Sequence, residues 1–343
     1  MAESTTAAAR VDDVVDDRLP VIDLSRWGDG EPARRAIAAR IGAACRVHGF
    51  FYASGHGIDA ALIARLETSS RVFFALPREE KMRIAMAHGG RAWRGYFAVG
   101  DELTSGVPDR KEGLYLGTEL PPQHPLVRAG TPVHGPNLFP SVEGFRATVL
   151  DYIDAVTALG HRLMAAIALS LDLAEDYFAR RYTADPLILF RIFNYPAPHH
   201  SSVGSWGVGE HTDYGLLTML LQDDHDGLEV KSNGRWIDAP PISGTFVCNI
   251  GDMLDRMTRG LYRSNPHRVR PSARYDRLSF PLFFDPNFFA RPAPIDKLAH
   301  VTLDDDRATR WDQASVHAFE GTYGDYLLAK ISKVFPQLSR QAL

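Results

Sequence analysis

Beyond Pro186 the chain becomes a succession of short strands. Apolar runs at Leu187 to Tyr195, Leu216 to Gln222, Leu228 to Val230, Trp236-Ile237, Thr245 to Ile250, His267 to Arg270 and Leu278 to Phe284 are broken by turn residues, among them the hairpin pair Asn233-Gly234. A parallel neighbour needs a crossover of a dozen or more residues, usually a helix, and none is present between these strands. The pattern excludes a parallel α/β sheet and predicts an antiparallel sandwich or jelly roll.

Ahead of Pro186 the period is helical. Pro32 opens a helix with Ala33, Ile37, Ile41, Ala44 and Cys45 on one stripe, and Gly49 ends it. Asp59 caps a second, carrying Leu62, Leu66, Ser69, Phe73 and Leu76 and stopping before Pro77. A long helix is predicted near 142–170, striped by Phe145, Val149, Tyr152, Val156, Leu159, Leu163 and Ile167. The stretch 86–140 is rich in Gly and Pro, and a loop region of that length in a compact domain is usually functional. The expected organisation is a disordered tail at 1–17, an N-terminal region at 18–140 with substrate-side loops, supporting helices at 141–185, a catalytic core at 186–290, and a C-terminal extension at 291–343 with an amphipathic helix at Gln313 to Phe335. The fold class is mainly β with flanking helices, α+β. No internal repeat is present.

Composition narrows the function by exclusion. A net charge of −4 over 343 residues, without a basic stripe, gives no field for nucleic acid or an anionic membrane. Cys45 and Cys248, the only cysteines, sit in apolar surroundings and read as buried free thiols of a reducing cytoplasm. No leader and no stretch of about 18 apolar residues is found, so a soluble cytoplasmic protein is expected. The expected partner is a small-molecule substrate, with the chain a monomer or weak dimer.

Three residues suggest chemistry. On a strand, side chains at i and i+2 leave the same face, so His211 and Asp213 can share one metal ion. His267, from a distant strand, completes a 2-His-1-carboxylate facial set of the kind that binds iron(II) and leaves coordination positions open. His-x-Asp alone is common by chance. The remaining histidines read as packing or solvent residues, His199-His200 as a loop pair, and His225 as part of an exposed acidic turn with Asp223, Asp224 and Asp226. Arg277 and Ser279 repeat the i, i+2 spacing with groups that grip a carboxylate. Among such apolar neighbours Arg277 needs either an anionic ligand or an internal Asp or Glu. Tyr195 is a candidate hydroxyl donor to the same ligand. Candidate substrate-wall residues are Arg94, Tyr96, Tyr115, Met219 and Phe283, with Arg94 either gripping a substrate carboxylate or lying at the surface.

In order along the chain, Pro20-Val21-Ile22-Asp23-Leu24, Gly49-Phe50-Phe51-Tyr52, Gly55-His56-Gly57-Ile58, Arg94-Gly95-Tyr96, Asp109-Arg110-Lys111-Glu112, His211-Thr212-Asp213-Tyr214-Gly215, Gly227-Leu228-Glu229-Val230, Asn249-Ile250-Gly251-Asp252, Pro266-His267-Arg268-Val269 and Arg277-Leu278-Ser279-Phe280 resemble the isopenicillin N synthase-like branch of the iron(II)/2-oxoglutarate-dependent oxygenases. The resemblance covers nearly the whole chain after the tail. It implies a double-stranded β-helix (jelly-roll) core, Fe(II) on His211, Asp213 and His267, and 2-oxoglutarate clamped by Arg277 and Ser279 beside Tyr195. It also implies O2 as oxidant and ascorbate as a candidate reductant. The implied reaction releases succinate and CO2 while oxidising a small to medium metabolite, with hydroxylation as the default and desaturation or cyclisation as other outcomes. One departure is Phe193-Asn194-Tyr195-Pro196 where many plant members carry Asn-Tyr-Tyr-Pro. Two alternatives stay open: a same-fold iron oxidase that does not use 2-oxoglutarate, with Arg277 and Ser279 holding a substrate carboxylate, and a non-catalytic ligand sensor.

Overall fold

A computed structural model describes residues 18–104, 106–197, 206–271, 274–303, 305–310, 312–336 and 339–340. The expected tail at 1–17 and the His199-His200 pair lie outside the described residues. The strands are Val21–Asp23 (β1), Phe50–Ser54 (β2), Gly95–Phe97 (β3), Leu103–Thr104 (β4), Val107–Pro108 (β5), Glu112–Gly117 (β6), Leu187–Tyr195 (β7), Val208–His211 (β8), Leu217–Gln222 (β9), Leu228–Ser232 (β10), Arg235–Asp238 (β11), Phe246–Ile250 (β12), His267–Val269 (β13) and Arg277–Asp285 (β14). They form a large sheet in the order β1-β2-β12-β9-β14-β7-β6-β3, a small sheet in the order β11-β10-β13-β8, and a β4–β5 hairpin. Apart from the parallel β1–β2 pair, neighbours in both main sheets run antiparallel.

The two sheets enclose a cavity, with β7, β9 and β14 on one wall and β8, β10 and β13 on the other. The outer face of the large sheet is covered by the helix Phe145–Ser170, whose Tyr152 ring lies 5.1 Å from Phe190 and whose His161 ring lies 4.9 Å from Phe284. Gly160 lets the helix settle there, since a Cβ on it would sit 2.4 Å from the Phe284 ring. The helices Glu31–Val47 and Ala60–Phe74 pack on this one in turn, and Asp59 caps the second by accepting from Ala61 N–H. A sheet buried on both faces explains the uninterrupted apolar run of β7. It also fixes a parity: Phe190 and Phe284 face the helix, while Leu189, Arg191, Phe193 and Tyr195 of β7 and Arg277, Ser279, Pro281, Phe283 and Asp285 of β14 face the cavity.

Two expectations need correcting. The Gly- and Pro-rich stretch 86–140, read as loops, contributes β3 and β6 to the large sheet, and β1 and β2 join its other end. Glu112 and Gly113 look unlike strand residues, but β6 is held by its antiparallel pairing with β7. The last helix spans Tyr323–Val334 rather than starting at 313, because Thr322 and Asp325 form a reciprocal capping box. By length and composition alone, Phe145–Ser170 is long and apolar enough to cross a membrane, although Asp154, His161 and Arg162 interrupt its apolar run. With Tyr152, Val156, Leu159, Leu163 and Ile167 buried, it serves here as a core helix.

Candidate active site

His211 closes β8 and His267 opens β13, directly opposite one another in the antiparallel ladder. Their rings are 4.2 Å apart. The His211 Nδ1 lies 2.8 Å from the Gly209 carbonyl, which turns Nε2 toward Asp213. Asp213 itself lies two residues past the end of β8 rather than on the strand. What holds it is a set of hydrogen bonds: Asp252 N–H donates to its carbonyl at 2.8 Å, and its Oδ2 accepts from Thr218 Oγ1 at 2.6 Å and Asn249 Nδ2 at 2.7 Å. Oδ1 is left facing the histidines, 4.0 Å from His211 Nε2 and 3.8 Å from His267 Nε2.

The three donor atoms lie within 4.8 Å of one another, so a small contraction suffices for one ion with bonds of roughly 2 Å. Protonation states suit that ion. Burial, and then the neighbouring His211, push His267 down to about 4, and burial also lowers His211. Both imidazoles are therefore neutral near pH 7, with a lone pair to offer. Burial raises the Asp213 carboxyl, but the two histidines and the Asn249 and Thr218 donors outweigh it and hold the group below the usual range.

At the end of the cavity marked by Tyr195 and Arg277, the guanidinium of Arg277 is wholly buried. Its Nε donates to the His225 carbonyl at 3.2 Å and its Nη2 to Gln222 Oε1 at 2.8 Å, while Nη1 has no partner. No carboxylate of the described residues pairs with it, so the internal Asp or Glu left open by the sequence is absent there. Ser279 lies two positions on, its hydroxyl near that of Tyr195, and the Tyr195 ring lies 5.1 Å from the Arg277 guanidinium carbon. A braced cation with one free, buried nitrogen next to two hydroxyls has the chemistry to hold a carboxylate. Asp223, read as part of an exposed turn, is buried and accepts from Leu278 N–H at 2.7 Å, bracing the start of β14.

Counting the open space at its mouth, the cavity spans about 940 Å³. Phe283 is on its wall. The other four substrate-wall candidates are not, for identifiable reasons. Met219 has the wrong parity on β9, where Thr218 and Leu220 face the cavity. Tyr96 spends its hydroxyl on Glu112 Oε2 at 2.6 Å. Tyr115 donates to Glu102 Oε1 at 2.8 Å, one layer behind the wall. Arg94 is neither at the surface nor at the metal site: it is buried against a separate small cavity, donates to the Val133 carbonyl at 3.0 Å, and is pushed down to about 10 by burial. The departure at Phe193-Asn194 is also explained. Phe193 occupies the cavity face, whereas Asn194 points away and donates to Glu112 Oε1 at 2.9 Å.

Sequence reasoning missed several wall residues. Lys111 is buried between Glu102, at 2.8 Å, and Asp109, and it comes from the stretch read as loops. Arg191 and Asp285 share the cavity parity with Tyr195 and with Arg277 and Ser279, so extending the i, i+2 count along β7 and β14 finds both. Burial pushes the Asp285 carboxyl up to about 7 despite the hydroxyl of Tyr323, which donates to it at 2.5 Å.

Residues 19–142 match the family described as non-haem dioxygenase in morphine synthesis N-terminal, and residues 187–286 match the 2OG-Fe(II) oxygenase superfamily. The chain is 53% identical to a probable iron/ascorbate oxidoreductase of Dictyostelium discoideum, over 98% of this chain and 99% of the relative. It is 40% identical to a 1-aminocyclopropane-1-carboxylate oxidase of the same organism, over 93% of this chain and 96% of the relative. Among solved structures, a full-length Neurospora crassa protein in complex with alpha-KG superposes with a TM-score of 0.76 at 29% identity, covering 92% of this chain and 96% of that one. Similarity sustained over both regions and nearly the full length makes the chain a member of the 2OG-Fe(II) oxygenase superfamily, an oxidoreductase of the iron/2-oxoglutarate type.

Proposed function

We propose that the chain is a dioxygenase that hydroxylates a small polar metabolite, with Fe(II) on His211, Asp213 and His267 and the distal carboxylate of 2-oxoglutarate on Arg277, Ser279 and Tyr195. The observation that carries the cosubstrate assignment is the unpartnered, fully buried Nη1 of Arg277 in a chain of this superfamily. Bound iron with 2-oxoglutarate and O2 supplies the oxidising power, with succinate and CO2 released. The protein's own part is geometric. Thr218 and Asn249 fix the Asp213 carboxylate, Gly209 fixes the His211 tautomer, and Gln222 with the His225 carbonyl fixes the plane of Arg277. Leu189, Phe193, Leu220, Phe283 and Leu327 keep the space between them apolar.

The name of one relative, 1-aminocyclopropane-1-carboxylate oxidase, refers to a compact substrate, which supports a small molecule here. The test is turnover with Fe(II), 2-oxoglutarate and air. Succinate should form in wild-type protein and disappear in His211→Ala. Oxygen-dependent product without 2-oxoglutarate, and without succinate, refutes the dioxygenase reading in favour of an oxidase whose Arg277 holds a substrate carboxylate.

A further inference from the structure

Once the metal ligands and the 2-oxoglutarate cradle are assigned, two charged side chains on the same cavity wall still have unmet bonding capacity. Arg191, on β7, has its guanidinium carbon 4.2 Å from the Tyr115 ring centroid and 4.8 Å from that of Phe283, so its plane is held by aromatic contacts. Its one carboxylate neighbour, Glu102, is 3.5 Å away and already takes Lys111 at 2.8 Å and the Tyr115 hydroxyl at 2.8 Å. Arg191 Nε is buried with no hydrogen-bond partner. Asp285, at the end of β14, is 2% exposed. Its Oδ2 accepts from Tyr323, its Oδ1 has no hydrogen-bond donor, and the one cation whose charge reaches it, Arg191, lies beyond ion-pair distance among the described residues.

Register places the pair about the iron site. Pro281 is the β14 residue level with Arg191, and Phe283, next on that face, is level with Thr218, which holds Asp213. Asp285 follows on the same face. From Pro281 to Asp285 is about 14 Å at roughly 3.4 Å per residue, and the long arginine side chain shortens the span between the charged ends. A ligand gripped at both ends presents its intervening C–H bonds at the level where Asp213 is anchored.

Resting on the oxygenase reading above, we propose that the substrate is a compact amino acid, its carboxylate held by Arg191 and a cationic nitrogen, from the α-amino group or the side chain, held by Asp285. A neutral ring or a simple monocarboxylic acid fills the same space but leaves Asp285 Oδ1 buried and unsatisfied, and a site built to bond a polar group discriminates strongly against a ligand that lacks it.

The test uses the full chain reconstituted with Fe(II), 2-oxoglutarate and ascorbate in air, and reads succinate above the no-substrate background. The compounds are the free amino acids including basic ones, their carboxamides, their N-acetyl derivatives acylated at either nitrogen, thymine as a neutral ring, and simple monocarboxylic acids. At least one free amino acid is expected to raise succinate formation, with kcat/KM falling roughly 10- to 100-fold on amidation or on acylation of the paired nitrogen. In Arg191→Gln the ratio of acid to amide should collapse toward unity, and in Asp285→Asn the ratio of amine to N-acetyl compound should do so. Each ratio is measured within one protein sample, so partial misfolding of a variant cancels. Stimulation only by neutral or simple anionic compounds, or ratios that neither substitution moves, overturns the assignment. Background succinate that no amino acid raises overturns it and leaves the oxygenase reading standing. No succinate under any condition removes both.

Discussion

Replacing Arg277 by alanine removes a wholly buried guanidinium whose Nε and Nη2 are already committed to the His225 carbonyl and Gln222. Nη1 has no protein partner, so the loss is at least one charge-assisted hydrogen bond, about 1.5 to 3 kcal/mol, together with the penalty of leaving the bound carboxylate unpaired. Breaking one side of a buried charge pair costs about 3 to 5 kcal/mol in all. That corresponds to a KM for 2-oxoglutarate raised by roughly two to three and a half decades. Ser279→Ala, which removes a neutral hydroxyl, should cost about 1 kcal/mol, or roughly fivefold. Arg277→Lys should fall between the two, since an ammonium keeps the charge but not the planar fork that meets Gln222, His225 and the ligand together. The assay is succinate formation against 2-oxoglutarate concentration at saturating iron. An Arg277→Ala enzyme with the wild-type KM places the carboxylate cradle elsewhere and refutes the reasoning.

The remaining predictions concern the metal, the acid at the end of β14, and the support behind the site. Manganese(II), a redox-silent stand-in, should raise the melting temperature of wild-type protein, and Asp213→Ala should abolish that rise. An equal rise in the variant means that the ion binds another site. Asp285 has a folded-state value of about 7 against an ordinary 3.8, so the stability of its protonated form is complete at low pH and lost as pH rises through 7. The stability of metal-free Asp285→Asn relative to wild type should therefore increase by about 3 kcal/mol between about pH 5 and pH 8, read by urea melts, and a flat difference would show that the carboxyl ionises freely. Arg310 is buried and joins Asp252 at 2.5 Å, Asp255 at 2.8 Å and Asp306 at 3.0 Å. Arg310→Met should destabilise the fold by about 3 to 5 kcal/mol, because it strands buried carboxylates, and a urea midpoint near that of wild type would contradict this.

Much of this site was legible because strand parity and ligand chemistry are local. The pair Arg277 and Ser279 needed only the i, i+2 rule, and the same rule extended along β14 reaches Asp285. Asp213 shows a limit of that rule. It points at the histidines although β8 ends at His211, and Thr218 and Asn249, from two other strands, aim it. Met219 failed on parity that only the pairing of β9 with β14 fixes. Arg94 and the strands β3 and β6 were misread for a common reason: their positions depend on non-local pairing along β7, which composition in a Gly- and Pro-rich stretch does not encode. Lys111 and Glu102 form a buried ion pair whose partners come from either side of the β4–β5 hairpin, where no helical or strand period marks them.

The most direct test of the account is the fate of labelled dioxygen. Wild-type protein with Fe(II), 2-oxoglutarate and oxygen-18 gas is analysed by mass spectrometry of the succinate formed. The account predicts succinate carrying one labelled oxygen atom, its yield dependent on iron and lost in His211→Ala. Oxygen consumption with no labelled succinate would contradict a dioxygenase built on His211, Asp213, His267 and Arg277.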